Sequence, residues 1–185
     1  MKNRHNPRKA ERGFTLTEML IATAIVLVGL VAVAQLVPAS MVMNSNNRND
    51  ATALVLAQRQ LEGLREVPLT QTTFQDPNGF FCPLTDTCNL GDPSQPNQVA
   101  GSPVVPDING MPLINFAASP VTGYGFTYTD PNDPTSAVND VRWAVITLTS
   151  GPVVTGRRII LGVFRQGMKT PTLPVTLDVL VGKSQ

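Results

Sequence analysis

Few residues in this 185-residue chain have types and spacing that could do chemistry. Glu18 is a lone carboxylate at the start of a long apolar run. An ionised group there costs about 2.5–3.5 kcal/mol on insertion scales, and such groups usually have a partner and a job. Cys82 and Cys88 stand six positions apart, which is not the C-x-x-C spacing of a redox pair. With no histidine nearby they make a poor zinc site. In an oxidising compartment they would bridge, closing a short loop worth about 2.4 kcal/mol in the chain-entropy model; free thiols are the alternative. Asp130-Pro131-Asn132-Asp133-Pro134 concentrates oxygen ligands, which makes Asp130, Asn132 and Asp133 a weak calcium candidate. The full ligand series of an EF-hand is missing, and an Asx/Pro turn between strands is the plainer reading. The only histidine, His5, lies in a short basic head, so Ser/His/Asp and Cys/His catalysis have nothing to build on. Gly123-Tyr124-Gly125 has no helix after it to make a phosphate cradle. The sequence offers no catalytic residue and implies no cofactor.

Charge is unevenly placed. The net charge is +1, but residues 1–13 carry Lys2, Arg4, Arg8, Lys9 and Arg12 against Glu11, a net of +4. The remaining 172 residues hold 9 basic and 12 acidic side chains, so no basic patch for nucleic acid survives beyond the head. Only 15% of residues are charged and sixteen are proline, which does not suggest a cytosolic enzyme. With 42% hydrophobic residues the chain is not a disordered one either.

Met19 to Ala34 is free of charge, and with its apolar flanks the stretch is long enough to span a bilayer. The basic head before it fixes the orientation: head in the cytoplasm, the rest exported. A secretory signal would need a shorter core and a cleavage site, for which only Val37-Pro38-Ala39-Ser40 offers itself. A plain anchor leaves Glu18 without a reason. The residues Arg12-Gly13-Phe14-Thr15-Leu16-Thr17-Glu18-Met19-Leu20 closely resemble the class III leader of type IV pilins and type II secretion pseudopilins. Thr17 stands where an aliphatic residue is more usual.

That resemblance implies chemistry done to the chain rather than by it. A prepilin peptidase in the inner membrane would cut between Gly13 and Phe14 and methylate the new Phe14 amine. Glycine suits the cut because it lets backbone approach closely. Glu18 would then neutralise a Phe14 amine, its own or a neighbour's, and so favour one register between subunits in an apolar filament core. The implied partners are that peptidase, other major and minor pilins or pseudopilins, and an inner-membrane assembly platform.

Beyond the apolar run, Leu54, Ala57, Leu61 and Leu64 recur at helical spacing, and Pro68 ends the pattern. The resemblance suggests one helix from about Phe14 to Glu66; the residues leave a break near Asn44–Asn49 open. Pro38 should bend or loosen the helix. Residues 67–120, rich in Pro, Gly, Asn, Asp and Ser, predict a long surface excursion with short strands at most. Alternation at Tyr124, Phe126 and Tyr128, then Val141–Thr149, a Gly151-Pro152 turn, Arg158–Phe164 and a last edge strand over Pro174–Val181 predict three or four antiparallel strands. Trp143 belongs in their core.

The expected fold is α+β: a long N-terminal helix, transmembrane in its first half, packed on a small antiparallel head with a long Pro/Gly-rich loop. The expected segments are a removable leader (1–13), a membrane or filament-core helix (14–43), its amphipathic continuation (44–66), the loop (67–120) and the sheet (121–185). The Trp143 strand, the Arg158–Phe164 strand and Ala57-Gln58-Arg59-Gln60-Leu61-Glu62 also resemble PilV-type minor pilins and minor pseudopilins. This implies a minor subunit that primes, caps or decorates a type IV pilus. Alternatives are a minor pseudopilin of a type II secretion machine and, from another class, a membrane-tethered periplasmic binding module.

Overall fold

The computed structural model describes residues 13–129, 136–167 and 173–182. One helix, α1, runs from Leu16 to Glu66. It continues across Pro38 and across Asn44–Asn49, where the sequence left a break open. Pro38 has no N–H to donate, so the carbonyl of Ala34 loses its usual partner. Two hydroxyls fold back onto the same helix: Thr23 Oγ1 donates to the carbonyls of Met19 and Leu20, both at 2.9 Å, and Ser40 Oγ to that of Leu36 at 2.8 Å. Back-bonding hides a polar group in apolar surroundings.

Among the described residues nine strands follow: β1 (Thr73–Phe74), β2 (Cys88–Asn89), β3 (Val99–Gly101), β4 (Val104–Pro106), β5 (Pro112–Ile114), β6 (Gly125–Thr129), β7 (Val138–Ser150), β8 (Val153–Arg165) and β9 (Val175–Gly182). The main sheet is antiparallel and has five strands among the described residues, where the sequence predicted three or four. β7, β8 and β9 lie side by side, while β6 and β3 share the far side of β7. The β7–β8 hairpin turns on Gly151-Pro152, with Ser150 paired to Val153. Gly151 has φ +61°, and proline follows with its φ fixed negative, the signs of a two-residue type II′ turn. β3 entered the sheet unseen because three residues carry too little pattern to read. β1 pairs with β2, and β4 with β5, as small antiparallel ladders apart from the main sheet.

The core lies between one face of the sheet and the second half of α1. Ala53, Leu56, Ala57 and Leu64 meet Val141, Trp143, Val145, Ile159, Leu161 and Val163. The buried helix face is rotated from the predicted one: Leu54 is exposed, Leu61 only partly covered, and Gln60 sits inside. Gln60 can be buried because its Nε2 donates to the carbonyl of Phe80, so its amide keeps a partner.

The 67–120 segment does more than run over the surface. Cys82, Cys88 and Leu90 join the same core, and Ile114 packs with Ala144 and Ile160 on the other face of the sheet. Gly162 makes room there, since a Cβ would lie 2.8 Å from Ile114 Cβ and 2.9 Å from the Phe116 ring. Across that face Arg142 forks onto Asp140 (Nε at 3.0 Å, Nη2 at 2.7 Å), donates to the Ala118 carbonyl at 2.6 Å, and lies over the Phe116 ring.

Candidate functional site

The residues singled out at the N terminus lie close together at the start of α1. Gly13 and Phe14 precede the helix and are exposed, Phe14 at 85%. Thr15 is the N-cap and Glu18 the third helical residue. Their side chains exchange bonds across the first turn: the Thr15 N–H donates to Glu18 Oε2 at 3.0 Å, the Thr15 hydroxyl to the same oxygen at 2.9 Å, and the Glu18 N–H to Thr15 Oγ1 at 3.3 Å. This is a capping box, and it places a negative charge at the positive end of the helix dipole. The T-x-x-E spacing before an apolar run is the signal of this box in the sequence. Thr17, the unusual position in the motif, donates its hydroxyl to Thr15 Oγ1 at 3.2 Å and so belongs to the same network.

From Leu16 to Asn44 the helix is long and apolar enough to cross a membrane, and all of it is exposed. At 1.5 Å per residue this stretch spans about 44 Å, more than the roughly 30 Å of bilayer hydrocarbon.

In the head, Cys82 and Cys88 form a disulfide, with Cα atoms 6.0 Å apart. Both are buried, so the bridge staples the loop into the core. Asp76 shapes the approach to it: Oδ1 accepts the N–H of Asn78 at 2.9 Å, and Oδ2 accepts those of Phe80 and Phe81 at 2.6 and 2.7 Å. Burial pushes the Asp76 pKa up, but the N–H groups of Phe81, Asn78, Phe80 and Gly79 together outweigh it and hold the carboxyl below its ordinary range. Arg59 stacks over the Phe80 ring at 4.3 Å.

At the far end of α1, Arg157 is only 2% exposed, and its Nη2 donates to the carbonyls of Leu69 and Gln71 at 3.4 and 2.6 Å. Burial lowers its pKa from the usual guanidinium value. A cavity of about 610 Å³ opens beside this turn, lined chiefly by Val67, Pro68, Leu69, Val153, Val154 and Val181. Trp143 is core, as expected, and its Nε1 donates to the Asn89 carbonyl at 2.8 Å. The calcium candidates Asp130, Asn132 and Asp133 lie outside the described residues.

Residues 8–34 match the family model described as the prokaryotic N-terminal methylation motif. The match takes in the Gly13–Phe14 junction, Glu18 and the first part of the exposed apolar helix. A motif of this kind marks a pilin- or pseudopilin-like precursor and implies processing by a prepilin peptidase and assembly with other pilins. No curated protein and no solved structure matches the chain.

Proposed function

We propose that this chain is a minor pilin of the PilV type, a low-copy subunit that helps prime, cap or decorate a type IV pilus. The observation that carries the reading is the order of parts at the N terminus: exposed Gly13-Phe14, a capped first turn holding Glu18, then an exposed apolar helix. Gly13 is exposed before the helix, and a Cβ there would meet nothing within 4 Å. Cutting there makes the Phe14 nitrogen a free amine, one residue from the Thr15 N–H that Glu18 already holds at 3.0 Å. The same carboxylate can then turn to the methylated amine of its own or a neighbouring chain. In an apolar bundle an unpaired charge is heavily penalised, so the Glu18–Phe14 pair selects one register between subunits. Before assembly the protein sits in the inner membrane by a single pass with the head in the periplasm, and Pro38 is the point at which the packed helix loosens. Residues after Phe14 offer few charges, and their basic residues are scattered along the sequence, which fits a specialised subunit better than a DNA-binding one.

Intact mass and the N-terminal residue of the protein from its native host test the processing. The expected chain starts at N-methylated Phe14. One starting at Met1 would leave a plainly anchored protein of the tethered-module kind, and one starting near Ser40 would mean ordinary secretion. Glu18→Ala is then expected to be cut and retained in the membrane yet lost from sheared surface fibres. A processed chain that never appears in such fibres would point to the pseudopilin reading instead.

A further inference from the structure

β9 forms one side of the main sheet, paired with β8 over eight residues without a shift in register. Among the described residues no strand pairs with its other side. Every second residue of Val175–Gly182 therefore turns N–H and C=O groups away from the ladder. The opposite side of the sheet differs, because β7 is covered in two short pieces by β6 and β3. Natural sheet edges usually carry proline, lysine or a bulge that refuses a further strand. Such residues stand only at its flanks, Pro174 before it and Lys183 after it; Val175–Gly182 itself has none, and its one charge, Asp178, is taken by Arg158 at 2.5 Å. Its inward row, Val175, Leu177, Val179 and Val181, packs on the core cluster but stays partly exposed, so the core layer is open at this edge.

The end of the strand lies beside charges of both signs, with acid in excess. Glu62, Arg65 and Glu66 share a hollow with Val181, two carboxylates against one guanidinium. We propose that β9 is a docking strand for an extended segment of a different polypeptide. That segment has alternating apolar residues and a lysine or arginine where it reaches Glu62 and Glu66. Backbone bonds to β9 give it affinity, and the acidic rim gives it direction. A second copy of β9 lacks this chemistry. In an antiparallel pair that keeps the same faces together and centres on Asp178 or Val179, Val181 lies opposite Val175 or Leu177, both uncharged. The proposal does not depend on cleavage at Gly13, because the uncut chain carries the same edge.

The test places benzoylphenylalanine at Thr176 and, separately, at Leu180 in the full-length chain in its native membrane, followed by mapping of the photo-crosslinks. Both positions are expected to label one segment of one other protein, at sites about four residues apart, as a continuous ladder demands. That segment is expected to have a basic residue beyond the Leu180 partner. Glu62 and Glu66 are exposed, so the double variant E62K/E66K is expected to keep the head's melting temperature and lower the crosslink yield at least about tenfold. Crosslinks to a second copy, within the chain, to lipid or to scattered sites overturn the proposal. So does an absence of product, or a yield that the charge reversal leaves unchanged.

Discussion

At Thr15 and Glu18 a single pair of side chains caps the helix. In the function proposed above, cleavage would free the same carboxylate to meet an amine one residue away. Removing an N-cap hydroxyl costs about 0.5–2 kcal/mol. Thr15→Ala is therefore expected to speed amide exchange over Leu16–Leu20 about fivefold for the full chain in micelles, and unchanged rates would show that the cap is not used. Asp76 makes a second residue-scale prediction, through pH. Its folded pKa is depressed, so it stabilises the head above the carboxyl's unfolded value near about 3.9, and the contribution fades as pH falls through the lower folded value. Asp76→Asn keeps one acceptor oxygen where two now take three N–H groups, a loss of about 1–3 kcal/mol at neutral pH. Denaturation curves from pH 7 to 2 are expected to show a flatter acid slope for the variant than for the parent. Neither Asp76 nor Gln60 was legible beforehand. Each is polar where a surface position was expected, and each is buried only because distant backbone comes to meet it.

At the scale of elements, α1 and the disulfide loop are fitted closely to one another. Gly63 lies on the helix, and a Cβ there would come within 2.5–2.7 Å of the Phe81 ring. Two effects compete in Gly63→Ala. Helix propensity gains about 1 kcal/mol, and overpacking costs about 1–3 kcal/mol. Phe81 is held by its N–H bond to Asp76 and by its neighbour Cys82, so the ring has little freedom to swing aside. The variant is expected to melt lower than the parent despite its better helix former; a higher melting temperature would show that Phe81 yields. The helical period in the sequence announced a helix here, yet it named Leu54 as buried and passed over Gln60. Periodicity says that a face exists, while its angle is set by what packs on it, in this case the Cys82–Cys88 loop and the Phe80 carbonyl.

As a whole, the chain divides into two units at Ser45/Asn46. The second unit contains its own core, to which the helix contributes Ala53, Leu56, Ala57 and Leu64. Removing residues 1–45 is expected to leave a head that melts cooperatively without detergent and keeps its disulfide. Removing residues 1–60 takes three of those four core residues and is expected to abolish the cooperative melt, as circular dichroism would show. The sequence by itself determined the processing motif, the apolar helix, the long strands and the α+β class. Those depend on local patterns: a glycine-phenylalanine junction, an unbroken apolar run, alternation at Tyr124, Phe126 and Tyr128, and β-branched, apolar runs within the two thirteen-residue strands. Tertiary structure alone decided the fifth strand and the burial of Cys82, Leu90 and Ile114. Each depends on partners far away in the chain. Residues 99–101 become a strand only beside Ile146–Ala144. Short-range pattern carries no record of such contacts, because their energy comes from surfaces that meet only after folding.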